Sequence, residues 1–376
     1  MKTRLESQNF LTLDGARGVG AMLVVLGHSA MFWPGFPTLP LVPLVDIFFI
    51  LSGFVLAFAY EPRFDRGMSA RQFLLARVVR LYPLYILGIL MGTIVHLYAY
   101  YGDSPDTSLS DLLLNSAPAF FMVPWMDPNS EYIYAANVPA WTLFFELVIN
   151  LVYILIYPYI RRTSGLLVVL AISIAMFLAM AFHYDTTDLG SRSTEFWGGF
   201  GRVSCTFFAG VLIYRLMGKP KETSSRRSLI SIPLILLLVL YGFDVPEPLF
   251  LIRSIILVTL VGPILLWLYL IVQPPRWLSS TFATLGGMSY ALYILHYPVY
   301  ETVKRIAWKY PVIIETPALG SFIVLAVSMA ISFVAWQWYD EPVRAKVNKW
   351  LKERRKRSAA TNMTKAAEGA TVSRSR

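Results

Sequence analysis

The sequence has little charge and almost no cysteine. Of its 376 residues, 15% are charged and 56% are hydrophobic, and the mean hydropathy is +0.56. Because an ordinary soluble domain carries about 25% charged residues, this composition excludes that class and predicts a polytopic membrane protein. The single cysteine, Cys205, excludes an intramolecular disulfide and a site with paired cysteine ligands, so we interpret it as a packing residue.

The sequence also lacks several patterns of soluble catalysts. It contains no Gly-x-x-x-x-Gly-Lys phosphate loop, no Gly-x-Ser-x-Gly turn and no Asp-x-Asp triplet. His183 and Asp188 form a His-x4-Asp pattern like that of glycerolipid acyltransferases, but it falls in a predicted outer loop, away from any cytoplasmic donor. We therefore treat it as accidental, and we expect neither a metal ion nor a bound cofactor.

Long apolar runs predict an all-α membrane helix bundle. Runs of about 20 residues are long enough to cross the hydrocarbon core of a bilayer. The ten predicted spans lie near residues 11–33, 41–60, 81–101, 138–160, 165–183, 197–217, 228–243, 247–273, 283–304 and 317–339. The apolar segment 112–125 is short and contains two prolines, so we predict an interfacial or re-entrant segment there.

The distribution of basic residues predicts that both termini are cytoplasmic. With the N-terminus inside, most lysines and arginines fall in inner loops, and the outer loop 102–137 contains neither. This bias explains the net charge of +10 without nucleic acid as a partner. The predicted transmembrane domain covers residues 1–340. Residues 341–376 form a basic tail, which we predict to be disordered and to contact anionic membrane lipids.

Ionisable residues lie inside the first predicted span, where they are costly and usually functional. Arg17 and His28 are eleven positions apart, about three helical turns, so they share one face with a separation of about 16 Å. Asp14 joins this face one turn before Arg17. Gly15, Gly18 and Gly20 offer small surfaces on which another helix can approach closely.

Three further spans place ionisable groups at a similar depth: Asp46 in the second, Glu146 in the fourth and His296 in the ninth. A neutral imidazole such as His28 can take a proton from a hydroxyl, and a carboxylate such as Glu146 could orient it. Arg77 and Arg80 share a helix side at the predicted cytoplasmic mouth of the third span, where they suit phosphates. A phosphate-bearing acyl donor such as a coenzyme A thioester fits this arrangement, although residue types alone do not single it out.

Each of these residues also has a structural interpretation. Asp14 and Asp46 suit helix-terminus or ion-pair roles, and Glu146 could neutralise a buried arginine such as Arg202. His296 could be satisfied by a core hydrogen bond. The remaining candidates also have alternatives: Arg77 and Arg80 as positive-inside anchors, Ser52 as a small packing residue, and Trp141 as part of an aromatic belt.

Five segments carry a resemblance to a known family. They are LDGARGVGAMLVVLGH (13–28), VDIFFILSGFVL (45–56), RVVRLYPLY (77–85), WTLFFELVIN (141–150) and SYALYILHYPVY (289–300). Their order and positions make the chain resemble the integral-membrane acyltransferase-3 family. The resemblance implies a ten-helix core, His28 as the essential histidine, Arg17 as its partner in Arg-x10-His, and Arg77 with Arg80 as the Arg-x-x-Arg pair.

The resemblance also implies a function. Members move acyl groups from acyl-coenzyme A to hydroxyls of extracytoplasmic glycans, lipids and antibiotics, so we expect a multi-pass enzyme of the bacterial inner membrane. Acetyl-coenzyme A is the expected co-substrate, a surface polysaccharide is the expected acceptor, and Glu146 is a second catalytic candidate. Since no esterase-like domain is appended, the protein would act alone or with a separate periplasmic acyl-transfer partner. The alternative is a proton-coupled transporter or flippase of a sugar or lipid-linked sugar.

Overall fold

The structure is a computed structural model that describes residues 10–34, 41–102, 109–126, 130–217, 226–227, 229–241 and 249–354. These residues are almost entirely helical. The helices are α1 Leu11–His28, α2 Leu41–Phe64, α3 Ala70–Gly102, α4 Leu109–Ser116, α5 Trp141–Ile160, α6 Thr163–Tyr184, α7 Gly198–Met217, α8 Ser231–Tyr241, α9 Phe250–Ile256, α10 Gly262–Ile271, α11 Ser279–Lys309, α12 Val312–Glu315 and α13 Leu319–Val334. Two short strands, β1 Arg226–Arg227 and β2 Val272–Gln273, pair in parallel.

Within the described residues, seven helical segments are long and apolar enough to cross a membrane. They are Val42–Phe64, Ala70–Tyr101, Val138–Ile160, Thr163–Tyr184, Gly198–Met217, Phe250–Ile271 and Leu319–Arg354. The prediction of an all-α polytopic helix bundle is thus confirmed. Helices α1 and α11 occupy the first and ninth predicted spans but are less apolar, because they carry polar site residues. The seventh predicted span contains α8 and then runs into residues 242–248, outside the described residues.

Helices α1, α2 and α11 supply much of the protein interior. Helix α1 packs chiefly against α11, while α2 packs against α7, and most of the apolar window of α2 is buried. Helix α6 is largely exposed, as expected of a segment that faces lipid. The polar first span therefore lies inside the bundle, with its charged groups shielded from the bilayer.

Glycines allow a close contact between α1 and α11. The sequence predicted the approach of another helix to α1 but not which helix it is. A Cβ added at Gly18 would lie 2.4 Å from Cβ of Leu285, and one added at Gly286 would lie 2.4 Å from Cβ of Asp14. Neither site has room for a methyl group. Small residues at both positions therefore bring the backbone of α11 next to the polar face of α1.

Two helices extend furthest beyond their predicted bounds, α3 and the last helix. Helix α3 begins at Ala70, so Arg77 and Arg80 lie on its second and third turns instead of at its start. The last helix continues from α13 through a π-helical turn, Ala335–Asp340, to Arg354. Residues 341–354, which belong to the tail predicted to be disordered, are therefore helical, since Ala, Lys, Leu and Arg favour that conformation. Residues 355–376 of the predicted tail lie outside the described residues.

The apolar segment between α3 and α5 does not form a span. Helix α4 has eight residues, and a short 3-10 turn, Pro118–Phe121, follows it. The turn is held by α3, because the Tyr82 hydroxyl donates to the carbonyl of Phe120 at 2.9 Å. The Tyr134 hydroxyl donates to the carbonyl of Met122 at 2.8 Å. The segment is thus held against the side of α3. We call the end of the bundle at which α3 ends and α5 begins the outer end, following the orientation that the basic residues predict.

Candidate active site

Two histidines meet where α1 ends against the middle of α11. Nδ1 of His28 lies 3.2 Å from Nε2 of His296, and the ring centroids are 5.0 Å apart. Nδ1 of His28 is also 3.0 Å from the carbonyl oxygen of Val24, and Nδ1 of His296 is 3.1 Å from that of Leu292. His296 is fully buried, whereas His28 is partly accessible. His28 therefore has a fixed ring with one edge available for chemistry.

The accessible side of His28 borders an outer cavity of about 330 Å³. Its wall combines aromatic rings with charged groups from the loops that precede α5 and α7. Among its lining residues are His28, Val45, Tyr132, Trp141, Asp188, Arg192, Arg202, Tyr293, Tyr297 and Tyr300. Tyr297 also packs edge-on against His28, with 5.6 Å between the ring centroids. A polyhydroxylated molecule would find both stacking surfaces and hydrogen-bonding groups here.

A second cavity, of about 180 Å³, lies nearer the inner end. Arg17, Arg77 and Arg80 all line it, together with an apolar wall from α2. Two helices, α1 and α3, thus bring three arginines to one cavity. A cationic end and an apolar wall suit a ligand that has both phosphates and an extended uncharged arm.

The two cavities share Val45 and Tyr293. Along α11, Ser289 and Tyr290 border the inner cavity, and Tyr297 and Tyr300 border the outer one. The cavities are therefore stacked along the helix axes, with Tyr293 at the boundary. The Arg17 to His28 stripe on α1 runs beside both, at a length of about 16 Å.

Glu146 belongs to the inner cavity and does not lie beside His28. Its carboxylate accepts hydrogen bonds from Arg77 and, at 3.1 Å, from the Ser52 hydroxyl. Arg77 and Glu146 are mostly buried, so the carboxylate offsets much of the charge of this arginine. The structure instead places His296 next to His28. The sequence was compatible with either a pocket role or a structural role for His296.

Asp46 forms a buried ion pair with Arg202. Nε of Arg202 is 2.8 Å from Oδ1 of Asp46, and both side chains are fully shielded from solvent. The guanidinium also lies over the ring of Trp141, with its Cζ 5.3 Å from the ring centroid. Asp46 therefore has the ion-pair role considered from the sequence. Trp141 is buried, so it does not belong to an aromatic belt at the lipid surface.

Asp14 and Arg80, which the sequence also indicated as site candidates, have local partners too. Asp14 lies 3.4 Å from Arg17 across one turn of α1. Arg80 lies 3.5 Å from Asp340 in the π-helical turn, and Arg344 binds the same carboxylate oxygen at 2.6 Å. Asp340 thus holds two guanidinium groups near the inner cavity.

Sequence reasoning missed the loop residues of the outer cavity. Arg192 pairs with Glu131 at 2.9 Å and with Asp188 at 3.2 Å, and Asp188 also lies 3.4 Å from Arg202. Burial lowers the pKa of Arg192, but the hydrogen bond to Glu131 and the charge of Asp188 raise it further, so its pKa lies above the ordinary value. Asp188 and Arg192 lie in the loop between α6 and α7, so no helical spacing rule pointed to them from the sequence. His183 of the accidental pattern is not part of this cavity lining.

The described residues contain no group of three or more His, Cys, Asp or Glu side chains able to hold a metal ion. At the boundary between the cavities, His28 and its neighbours are the groups placed to act on ligands that the two cavities admit. A proton acceptor on one side and a cluster of arginines on the other suit transfer between an anionic donor and a neutral acceptor.

Comparison with known proteins decides the family. The acyltransferase-3 family model, described as an acyltransferase domain, matches residues 10–337. The chain belongs to the acyltransferase-3 family. It is therefore a multi-pass membrane acyltransferase, and the resemblance seen in the five sequence segments is confirmed.

Two curated proteins are also similar to the chain. "Protein 2 in picA locus" of Rhizobium radiobacter is 36% identical over 157 residues, which cover 39% of this chain and 81% of that protein. "Putative acetyltransferase ORF330" of Acidianus two-tailed virus is 26% identical over 297 residues, covering 74% of this chain and 80% of the viral protein. No solved structure matches the chain significantly.

Proposed function

We propose that this acyltransferase moves an acyl group, in the first instance acetyl, from cytoplasmic acyl-coenzyme A to a hydroxyl of an extracytoplasmic glycan or glycosylated molecule. The observation that carries the proposal is the pair of stacked cavities, one lined by three arginines and the other bordered by His28. The acetyltransferase name of the viral relative supports the choice of acyl group. The bacterial inner membrane is the proposed location.

The inner cavity would bind the donor. Arg17, Arg77 and Arg80 supply charge-assisted hydrogen bonds for the phosphates of coenzyme A. The apolar wall of α2, which includes Phe48, suits the pantetheine arm, whose thioester would then reach the boundary at Tyr293. Donor phosphates on the inner side and the acyl carbon near His28 match the length of the Arg17 to His28 stripe.

The outer cavity would bind the acceptor. Its tyrosines and Trp141 provide stacking surfaces for a sugar ring, and Asp188 and Arg192 provide groups for its hydroxyls. His28 would then take a proton from the attacking hydroxyl as general base, or carry the acyl group for a short time on its own ring. Direct transfer and a covalent intermediate differ in whether acyl-coenzyme A is cleaved before the acceptor binds.

The decisive experiment measures donor and acceptor together. Purified protein in lipid nanodiscs would receive acetyl-coenzyme A and a surface glycan fraction, and both released thiol and base-labile ester would be quantified. We expect both products with wild type and neither with His28→Ala. His183→Ala is the matched control, because this histidine lies outside the cavity lining, and it should retain wild-type rates.

The same proposal is tested in cells that lack the protein. Wild type at normal membrane abundance should restore base-labile ester on surface glycans, whereas His28→Ala should not. Ester that stays equal in all strains would contradict a glycan acceptor. Movement of a sugar or lipid-linked sugar without thiol release would instead support transport. If ester forms only when periplasmic proteins are present, a separate acyl-transfer partner completes the reaction.

A further inference from the structure

The hydrogen-bonding pattern around His296 determines which of its nitrogens carries a proton. A backbone carbonyl only accepts hydrogen bonds, so the nitrogen 3.1 Å from the Leu292 oxygen, Nδ1, carries the hydrogen. In a neutral imidazole the other nitrogen, Nε2, is then an acceptor. Because His296 is fully buried and, within the described residues, makes no hydrogen bond to a carboxylate, the neutral ring is the favoured form.

The same reasoning applies to His28. Its Nδ1 faces two acceptors, the Val24 oxygen at 3.0 Å and Nε2 of His296 at 3.2 Å. A hydrogen on Nδ1 satisfies both, whereas a lone pair there would oppose both. The other nitrogen of His28, Nε2, therefore has the free lone pair. Among the described residues no side chain hydrogen-bonds with this nitrogen, and the His28 ring borders the outer cavity.

We propose that His296 is a positioning residue: its Nε2 accepts a hydrogen bond from Nδ1 of His28 and thereby keeps Nε2 of His28 free to act as the base. This inference rests on the proposed function for its role in catalysis, although the tautomer itself is independent of the substrate. His296 thus occupies the place that an aspartate takes in a Ser-His-Asp triad, with a neutral acceptor in place of an anion.

The proton transfers balance with this arrangement. The acceptor hydroxyl gives its proton to Nε2 of His28 while its oxygen forms a bond to the thioester carbonyl carbon. The carbon–sulfur bond then breaks, and Nε2 of His28 returns the proton to the leaving sulfur, which departs as the free thiol. Nδ1 of His28 keeps its hydrogen throughout and donates it to His296 and Val24.

A neutral partner also suits the setting. The transient imidazolium of His28 would form a strong bond to a carboxylate partner, which would favour retention of the proton that the leaving sulfur needs. An imidazole acceptor orients the ring without adding a buried negative charge. The charged groups that border the outer cavity, Asp188, Arg192 and Arg202, are already paired with one another or with Asp46 and Glu131.

Two substitutions of similar bulk separate positioning from packing. His296→Gln retains an acceptor oxygen near the place of Nε2, and His296→Leu removes the acceptor. We expect His296→Leu to lower kcat by about 10- to 100-fold, a range typical for loss of an orienting partner, with KM for the acyl donor unchanged. His296→Gln should stay within about threefold of wild type, because hydrogen-bond acceptance by the side chain is retained.

A spectroscopic measurement tests the tautomer without any substrate. The chain has only four histidines, so ¹⁵N-histidine labelling of the protein in nanodiscs resolves few signals, and His28→Ala assigns the one of interest. Wild type and His296→Gln should show protonated Nδ1 and unprotonated Nε2 at His28, and His296→Leu should show a mixture. Thermal stability of each variant, measured in parallel, reports any loss of packing.

The outcomes distinguish this inference from the proposed function. If acetyl-coenzyme A is not a donor but the tautomer pattern is as described, the proposed function fails and the His296 inference stands. If Nε2 of His28 carries the hydrogen and Nδ1 does not in wild type, the inference is overturned, whichever molecule is the acyl donor. Equal loss of kcat in the glutamine and leucine variants, accompanied by equal loss of stability, would also overturn it and leave His296 as a packing residue.

Discussion

At the scale of single residues, buried charges have two different uses in this protein. Asp46 and Arg202 satisfy each other deep in the bundle and join α2 to α7. Arg17, Arg77 and Arg80 have acidic neighbours but still face the inner cavity, where a ligand can reach them. The first use contributes to stability, and the second to binding.

Replacement of Asp46 tests the first use. Asp46→Asn leaves Arg202 buried without a full counter-charge, which should lower the free energy of unfolding by about 3–5 kcal/mol. Thermal denaturation in detergent, with folded protein followed by size-exclusion chromatography, measures the loss. Asp65→Asn is the control, because Asp65 pairs with Arg161 at the surface, where an ion pair contributes at most about 1 kcal/mol. Equal losses in both variants would contradict the structural role of Asp46.

Replacement of Arg80 tests the second use. Arg80→Met should raise KM for acyl-coenzyme A by about 10- to 100-fold, the effect of one lost charge-assisted hydrogen bond. Folding should be retained, since Asp340 keeps Arg344 as a partner at 2.6 Å. Arg71→Met is the matched control on the exposed first turn of α3 and should leave KM unchanged. A normal KM with a reduced kcat would place Arg80 outside donor binding.

At the scale of elements, helix packing depends on glycines at backbone contacts. A Cβ at Gly53 of α2 would lie 1.9 Å from the Phe207 carbonyl oxygen, and a Cβ at Gly210 of α7 would lie 1.8 Å from that of Ile50. Backbone atoms cannot move aside as a flexible side chain can. The pair of glycines therefore sets the distance between α2 and α7, and with it the geometry of Asp46 and Arg202.

Alanine at either position should prevent stable assembly of α2 with α7. We expect Gly53→Ala and Gly210→Ala to reduce the amount of folded protein in the membrane at least about tenfold, since overpacking is added at a contact that cannot relax. The control is Gly20→Ala, where a Cβ would meet only the tip of the Phe48 ring at 3.2 Å. Immunoblots of the membrane fraction, with fluorescence-detected chromatography for folding, provide the measurement. Normal folding of Gly53→Ala would show that the two helices are less tightly packed.

Contacts within one helix could be predicted from the sequence, whereas contacts between helices could not. The spacing of Arg17 and His28 within one helix predicts their common face, because helical geometry alone determines it. The partner of Arg202 could not be predicted in this way, since Asp46 lies 156 positions earlier in the chain and Glu146 was an equal candidate. The extension of the last helix to Arg354 does not follow from the sequence, because a basic, polar composition is also typical of disordered tails.

At the scale of the whole molecule, the stacked cavities require a definite orientation in the membrane. The arginine-lined cavity must open to the side that holds acyl-coenzyme A, as the distribution of basic residues also predicts. The single cysteine, Cys205, is buried, so replacing it with alanine gives a background for labelling.

In that background, Lys309→Cys at the end of α11 should react with a membrane-impermeant maleimide in intact cells. Ser164→Cys, near the start of α6, should react only after the membrane is permeabilised. Both positions are exposed, so a lack of reaction reports sidedness instead of burial. The opposite pattern would reverse the orientation and place the donor cavity outside the cell.

The sequence predicted much of the site but not its division into two compartments. Family segments and helical spacing brought His28, Arg17, Arg77 and Arg80 into consideration, and the structure places all four along one stacked pair of cavities. The role of Tyr293 as boundary was not predicted, because it depends on how α2 and α11 meet. The same is true of Asp188 and Arg192, which lie in the loop between α6 and α7 and pair with Arg202 and Glu131.

The boundary formed by Val45 and Tyr293 has a consequence for the energetics of the cell. Moving one charge through a membrane potential of 100 mV involves about 2.3 kcal/mol, so passage of a multiply charged coenzyme would couple each turnover to the voltage. If the acyl group passes Tyr293 outward in exchange for the hydroxyl proton that His28 returns to the leaving sulfur, no net charge crosses and turnover is electrically silent. The cell then moves acyl groups across the membrane without drawing on its proton-motive force.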